Sequence, residues 1–372
     1  LERRGKLDRA VEFLPDDEGL RKRLADNQLL TRPELAVLLA YAKLDLAAEI
    51  NASTLPDEPF FATELESYFP PQLVQRFRHE MEHHRLRREI ITDVLTNHIV
   101  NLAGPVFIHR LKEISGAPAA RCAHAFALAD GAFGLSSLKS RIDALDYKVA
   151  ADIQIATICD ITELLRRLGL WFVMNVPESA DLGQSVQRYR DGVKALTGTF
   201  ETLVSDFEAA ATEQRIGDLE AAGVPHALAE DIAVLPLLSA APEIIHLAHA
   251  RDLSIDLVAG AYFATGEIIG LDRLRSLAGR INASEHWDRL AIRRIVDDLY
   301  VGQRALTAKV LEDKERQEGD RAAGAAAAQA WADRHADALN RTRSFLAELE
   351  RTGDLSIAKL TLANSQLHSL AG

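Results

Sequence analysis

Residues 76–90, RFRHEMEHHRLRREI, hold the side chains best suited to metal chemistry in this chain. His79-Glu80-Met81-Glu82-His83 spells H-E-x-x-H. On a helix this spacing sets two imidazoles one turn apart, and the glutamate between them could serve as general base to a zinc-bound water. A zinc hydrolase also needs a third protein ligand and a dry, largely apolar cleft. The flanking residues are Arg76, Arg78, Glu82, His84, Arg85, Arg87 and Arg88. They predict a wet, charged helix face, on which the His79/His83 pair could at most collect an adventitious ion. A second arrangement uses two E-x-x-H motifs, Glu80/His83 and Glu243/His246. With two further glutamates these would build a carboxylate di-iron centre between helices. Glu243 follows Pro242, however, and reads better as the partner of a helix N-terminal dipole. His246 and His249 then share an ordinary helix face. On this reading no residue is assigned as catalytic, cofactor-binding or metal-ligating.

Nucleotide motifs are missing from the sequence. It contains no strand followed by G-x-G-x-x-G, no G-x-x-x-x-G-K-[ST] and no G-x-S-x-G. The glycine-spaced GAYFATGEIIG, 260–270, has no strand before it. It predicts a helix broken at Gly266 and a second helix begun at Glu267.

The elements that must carry these side chains are helices nearly throughout. Composition is 48% apolar and 26% charged, with only 21 glycines and 12 prolines among 372 residues. Alanine, leucine, glutamate and arginine, all strong helix formers, abound. No run of period-2 alternation bounded by turns occurs, so the expected class is all-α. The length exceeds the ~250–300 residues that one core serves. A multi-helix body of two or more packed sub-bundles is expected, divided into 1–134 and 135–372, with breaks favoured near Gly134 and Pro177.

Particular helices can be placed. Thr31-x-x-Glu34 is a capping box, and Pro33 fits the first turn it opens. Leu35, Leu38, Leu39, Ala42 and Leu46 then form a stripe expected to be core, as is Leu168–Val176. A short helix is expected over 57–73, and one long helix from Val74 through H-E-x-x-H to about Leu102. After Gly104-Pro105 the segment 106–116 stops at Gly116. Further helices are expected at 146–176, 185–211, 225–235, 241–250, 253–264 and 266–279. Another covers 284–312 from an N-cap at Ser284. A charged stretch, 313–320, precedes an alanine-rich helix, 321–350, and a final helix follows Gly353-Asp354.

Charge and cysteine usage narrow the partners. The 43 basic and 55 acidic residues give a net charge of −12, which repels phosphate backbones. The dense basic cluster Arg85–Arg88, flanked by Glu80, Glu82 and Glu89, reads as a solvated face with internal ion pairs. No nucleic-acid partner is expected. No apolar run approaches the ~18–20 residues of a membrane span. Cys122 and Cys159 both lie in apolar helical pattern and are expected to be buried free thiols in a reducing, cytoplasmic setting. The opening Leu-Glu-Arg-Arg lacks an apolar leader. The absence of an initial methionine suggests a piece of something longer.

Several stretches carry a resemblance. LDRAVEFLPDDEGL (7–20), LTRPELAVLLAYAKL (30–44), LRREIITDVLTNHIVNLAGPVFIHRLKEISGA (86–117) and AYFATGEIIGLDRL (261–274) are similar to the C-terminal region of the large, bacterial-type NAD-specific glutamate dehydrogenases. DDLYVGQRALT (297–307) and GDLSIAKLTLANSQLHSL (353–370) are similar to that family's end. The matches run in order over almost the whole chain, 1–372. The resemblance implies a helical C-terminal domain in a very long polypeptide, behind regulatory-type modules and a catalytic domain with a Rossmann NAD-binding part. The implied parent reaction converts L-glutamate, NAD and water to 2-oxoglutarate, ammonium and NADH. The catalytic lysine and aspartate and the dinucleotide loop belong upstream, so none is carried onto this chain. NAD is expected in that upstream domain and no cofactor in this segment. The implied partners are the catalytic and regulatory domains of the same polypeptide, in a homo-oligomer. The implied role is structural, assembly-related or regulatory, with no turnover by the segment alone. The rival readings are a free-standing helical metalloprotein using His79, Glu80 and His83, and a helical scaffold with no enzymatic parent.

Overall fold

A computed structural model describes residues 1–281, 283, 285–312, 320–351 and 356–371. Among them every regular element is a helix, as composition and periodicity predict. The sequence-placed N-cap Ser284, most of the charged stretch 313–320 and the Gly353-Asp354 boundary lie outside the described residues.

The chain forms two compact units. Unit one holds Leu1–Lys139 and Leu168–Gln187, and unit two holds Ser140–Arg167 and everything from Arg188 onward. The first helices are α1 (Asp17–Ala25), α2 (Arg32–Asn51), α3 (Ala62–Ser67), α4 (Pro71–Glu82), α5 (Arg87–Ala103), α6 (Phe107–Ser115), α7 (Ala119–Phe133) and α8 (Leu135–Asp143). The capping box is in place: the Glu34 amide donates to Thr31 Oγ1, and the Glu34 carboxylate accepts from the Thr31 amide at 2.7 Å. Gly104 and Gly116 separate α5, α6 and α7 in conformations with φ of 87° and 70°, which suit glycine.

The core of unit one gathers on α5, whose Ile91, Leu95 and Ile99 are buried, against Phe107, Leu111, Phe126 and Leu128. The end of α9 (Ala151–Asn175) adds Leu168, Trp171, Phe172 and Val173, but the segment expected as core to Val176 is buried only as far as Val173, and Met174 is exposed. Gly169 sits where a Cβ would come 2.9 Å from the Phe107 ring, so the helix approaches α6 closely.

Beside that core lies a polar knot. His98 Nε2 is 3.1 Å from Asp130 Oδ2 and also meets the Ser136 hydroxyl, while Ser136 donates to Asp130 from its amide at 2.7 Å and its hydroxyl at 2.9 Å. Both partners use the same ring nitrogen, so this is not the relay geometry of a hydrolase, in which serine and aspartate take opposite nitrogens. It ties α5, α7 and α8 together. Burial disfavours the charged imidazole, but the hydrogen bond and charge of Asp130 outweigh it and hold His98 above its ordinary value. Burial likewise works against the Asp130 carboxylate, yet His98 and Ser136 hold it below the usual range. The His98 contribution is complete below pH ~6.5 and is lost as pH rises through its raised value. The Asp130 contribution is complete above ~3.9 and is lost as pH falls through its lowered value. A His98→Asn variant should therefore lose most relative to the native chain near pH 5–6. The gap should shrink toward pH 8, as checked by urea unfolding across a pH series.

Three sequence expectations are corrected in unit one. The single helix over 74–102 is two helices, α4 and α5, because histidine side chains satisfy the backbone where α4 stops. His83 Nδ1 donates to His79 O at 2.8 Å, His84 Nδ1 accepts from the Leu86 amide, and Arg87 N turns back to His84 O at 2.9 Å. The basic cluster is not a self-paired surface either. Arg88 donates to Asn51 O and Ser53 O at 2.7 and 2.8 Å and meets Asp57, while Arg87 reaches Pro56 O at 3.1 Å. The Arg88 guanidinium thus caps the carbonyl end of α2, where positive charge is favoured, and Arg87 holds the turn that follows. The expected helix over 57–73 is two 3-10 turns and the short α3, and Pro71 opens α4 rather than closing its predecessor.

After α10 (Leu182–Thr197), whose first residues belong to unit one, unit two continues with α11 (Asp206–Ala221), α12 (His226–Ala233), α13 (Leu235–Leu238), α14 (Ala241–Arg251), α15 (Ile255–Ile269), α16 (Leu271–Ala278), α17 (His286–Val310), α18 (Arg321–Arg334), α19 (Ala336–Arg351) and α20 (Ile357–Ala371). The segment expected as one helix over 185–211 is split around Thr199, and α11 runs on to Ala221. The alanine-rich helix is split at His335, which repeats the device at His83: its Nδ1 takes the Trp331 carbonyl at 2.8 Å and its ring stacks on Trp331. Gly266 does not break a helix. It lies inside α15, where a Cβ would meet Gln303 Nε2 at 2.5 Å, and Gly270, with φ of 88°, ends the helix instead. Helices α15 and α18 meet backbone to backbone: a Cβ on Gly260 would lie 2.2 Å from Arg321 O, and one on Gly324 2.1 Å from Leu257 O.

The cysteines part company. Cys122 is buried, and burial pushes its thiol up to about 11, whereas Cys159 is exposed on α9, against expectation. No single helix among the described residues is long and apolar enough to cross a membrane.

Candidate functional site

Three places concentrate side chains beyond what packing alone requires. The first is the end of α4. His79 and His83 face each other with ring centroids 4.4 Å apart, and the donor atoms of His79, Glu82 and His83 all lie within 4.8 Å of one another, exposed to solvent. The carboxylate that joins them is Glu82, three residues after His79, and not Glu80 of the H-E-x-x-H string. On a helix, i+3 and i+4 share a face with i, whereas i+1 is turned about 100° away. The two E-x-x-H motifs lie in different units, His83 in one and Glu243 in the other.

The second place is an ionic centre within unit two. Glu243, in the first turn of α14, has no solvent exposure. The sequence places it correctly at a helix start but gives no sign of this burial. Arg304 Nη1 lies 2.9 Å from Glu243 Oε2, and Arg167 Nη2 lies 3.7 Å from Glu243 Oε1. Asp297 completes the set, 3.0 Å from Arg167 and 3.2 Å from Arg166. The Arg167 guanidinium lies 3.4 Å over the Tyr300 ring, with Arg275 4.6 Å from the same ring. Arg275 donates to Gln303 at 2.6 Å, and Gln303 donates to Tyr262 O at 2.8 Å. Five helices, α9, α14, α15, α16 and α17, are thus tied through charge. Such a centre fixes which helices meet more than it adds net stability, since desolvation offsets much of the attraction. His246, on the same helix as Glu243, is held below its ordinary value by burial and by Arg304.

The third place is α2, whose orientation reverses the expected one. Its polar residues turn toward the rest of unit one. Glu34 pairs with Arg23 at 2.7 Å, Tyr41 donates to Glu12, Asp45 meets Arg4, and Glu49 meets Lys112 at 2.5 Å. Leu35, Ala36, Leu39, Ala40, Leu44 and Ala48 face solvent instead. Leu35 is 51% exposed, Leu39 36% and Leu44 66%, and of the whole helix only Ile50 is buried. Of the stripe expected to be core, Leu35 and Leu39 are exposed and join Ala36, Ala40, Leu44 and Ala48 in an apolar ridge, while Leu38, Ala42 and Leu46 are half-buried beside it. Leu24 and Leu29, just before it in sequence, are exposed as well.

Comparison with known proteins decides the family. The model of the family described as "Glutamate dehydrogenase, C-terminal" matches residues 27–369. The chain belongs to the glutamate dehydrogenase C-terminal family. Among relatives of this family, the NAD-specific glutamate dehydrogenase of Pseudomonas aeruginosa is 34% identical over 371 residues, which is 100% of this chain and 23% of that protein. The enzyme of the same name from Halomonas elongata is 35% identical over 311 residues, 84% of this chain and 19% of that protein. That of Mycobacterium tuberculosis is 30% identical over 364 residues, 98% and 22%. The chain spans less than a quarter of the length of the relatives it matches. Of the stretches quoted for the resemblance, 7–20 precedes the glutamate dehydrogenase C-terminal match and the others lie within it but for residue 370, as do the α2 ridge, the histidine cluster and the ionic centre.

The ionic centre was legible only in part. Arg166-Arg167 in an otherwise apolar helix was a visible signal, since charge inside a buried pattern must find a partner. The partners Glu243 and Asp297 stand far along the chain, beyond any local spacing rule.

Proposed function

We propose that this chain is the non-catalytic, helical C-terminal part of an NAD-dependent glutamate dehydrogenase and that its α2 ridge is the face on which the remainder of that enzyme packs. The carrying observation is the reversed amphipathicity of α2. A helix that turns its ion pairs inward and a continuous Leu/Ala ridge outward leaves apolar surface that water disfavours and a partner would cover. The family membership and the fraction of the relatives' length that is covered both support a partner from the same polypeptide. The sequence, with no dinucleotide fingerprint, supports placing NAD and the glutamate chemistry in that other part. On this reading the parent works in the cytoplasm as a homo-oligomer, and the segment serves its assembly or the passage of regulatory signals.

The test is a Leu35→Glu, Leu39→Glu double variant. In this chain alone the urea midpoint should stay within about 0.5 kcal/mol of the original, as for other exposed positions. In the full-length parent, sedimentation should show loss of the native assembly, with a fall in NAD-dependent glutamate oxidation. An intact assembly with full activity would refute the packing role, and glutamate oxidation by this chain alone would refute its non-catalytic assignment.

A further inference from the structure

We propose that His79, Glu82 and His83 form a binding site for a divalent transition-metal ion, which clamps the last turn of α4. Two imidazoles and a carboxylate suit the borderline ions Zn²⁺, Co²⁺, Ni²⁺ and Cu²⁺ better than Mg²⁺ or Ca²⁺, which favour all-oxygen sites. The three donor atoms already lie within 4.8 Å of one another. Zinc–ligand bonds of ~2.0–2.2 Å would bring them to roughly 3.4 Å apart in a tetrahedral shell. Small rotations of exposed side chains close that difference.

Three observations distinguish this cluster from an accidental grouping. The His83 ring is already oriented as ligating histidines are, because its Nδ1 donates to the His79 carbonyl at 2.8 Å and so leaves Nε2 free to bind an ion. The backbone beneath the donors is anchored: Met81, between them, is buried, and the ring of His84, just after them, packs 5.7 Å from Phe69. Among nearby cations, Arg78 is paired with Glu66 at 2.9 Å, and Arg87 and Arg88 are drawn away to the end of α2. An ion here would bridge residues i, i+3 and i+4 and so hold the helix end from which the chain turns into α5. The site differs from the protease string in its carboxylate, Glu82 in place of Glu80. With three protein donors and full exposure it provides a structural clamp rather than a shaped reaction cleft.

The experiment is calorimetric titration of the full chain, free of any histidine tag and stripped with chelator, with Zn²⁺ and separately with Co²⁺. One ion should bind per chain, and the thermal midpoint should rise with metal concentration. His79→Ala and His83→Ala should each weaken binding at least about tenfold and abolish that rise. Glu82→Gln should weaken it severalfold, and Glu80→Gln should leave it unchanged. The Co²⁺ visible spectrum should report nitrogen ligation that His83→Ala removes. All four positions are exposed, and circular dichroism would confirm that the variants are folded. No saturable binding, undiminished binding in His83→Ala, or loss in Glu80→Gln but not in Glu82→Gln would each overturn the assignment.

Discussion

Replacing Gly260 or Gly324 with alanine is expected to cost about 3 kcal/mol or more, read as a fall in the urea midpoint followed by circular dichroism. The sign is the informative part. In an exposed helix interior, glycine to alanine is worth about 0.5–1 kcal/mol in the stabilising direction, because glycine loses more backbone entropy on folding. At these two positions the added methyl would meet main-chain atoms, Arg321 O at 2.2 Å and Leu257 O at 2.1 Å, with the Ala261 amide nitrogen at 2.7 Å as well. No rotamer change relieves a clash with backbone, so α15 and α18 would have to separate. Separation would strip contacts from buried neighbours such as Ala261, Ala328 and Leu257. Overpacking of this kind costs ~1–3 kcal/mol even where side chains can yield, and more where they cannot. Gly217, exposed on α11 with nothing within 4 Å of its would-be Cβ, supplies the control. Its alanine variant should gain about 0.5–1 kcal/mol. Equal behaviour at Gly217 and Gly324 would mean that the close approach of the two helices is wrong.

The second large effect is expected at Glu243. A Glu243→Gln change keeps the shape and removes the charge, leaving Arg304 and Arg167 without their shared carboxylate in the interior. Breaking one side of a buried ion pair costs about 3–5 kcal/mol, most of it from the stranded partner rather than from the lost attraction. A double variant, Glu243→Met with Arg304→Met, should recover part of that loss. The non-additivity should be about 1–3 kcal/mol in a double-mutant cycle. Strict additivity would show that the two side chains do not interact. Asp297 bears on the outcome, since it keeps Arg167 partly compensated.

Local signals were read well where they stayed local. The Thr31/Glu34 box, the break at Gly104-Pro105, the glycine stop at Gly116 and the buried pattern of Leu168–Val176 as far as Val173 appear in place, because each depends on neighbours within a turn or two. Errors arose where the deciding atoms are distant. Gly266 was read as a helix breaker, but its missing Cβ makes room for Gln303, 37 positions on in the numbering, a fact no window contains. The α2 stripe failed for a different reason. Leu35, Ala36, Leu39 and Ala40 lie toward one side and Leu38, Ala42 and Leu46 toward another, so apolar spacing does not choose between them. The choice is made by Arg4, Arg23 and Lys112, which draw the acidic residues inward. The break at His83 was missed because propensity scales treat histidine as an ordinary helix residue, whereas here its side chain adds a second hydrogen bond to the His79 carbonyl at the helix end. The H-E-x-x-H string was visible in the sequence, but the choice of Glu82 over Glu80 needed the side-chain geometry.

The two cysteines, finally, sort sulfur chemistry by position. Nucleophilic attack needs a thiolate that a reagent can reach. Cys122 fails on both counts, being buried with its thiol pushed up to about 11, while Cys159 stands exposed on the outer side of a long helix. A maleimide dye added near neutral pH would mark one address per molecule without any engineered site. The chain thus carries its own handle for a fluorophore or spin label, fixed on a helix rather than on a loop.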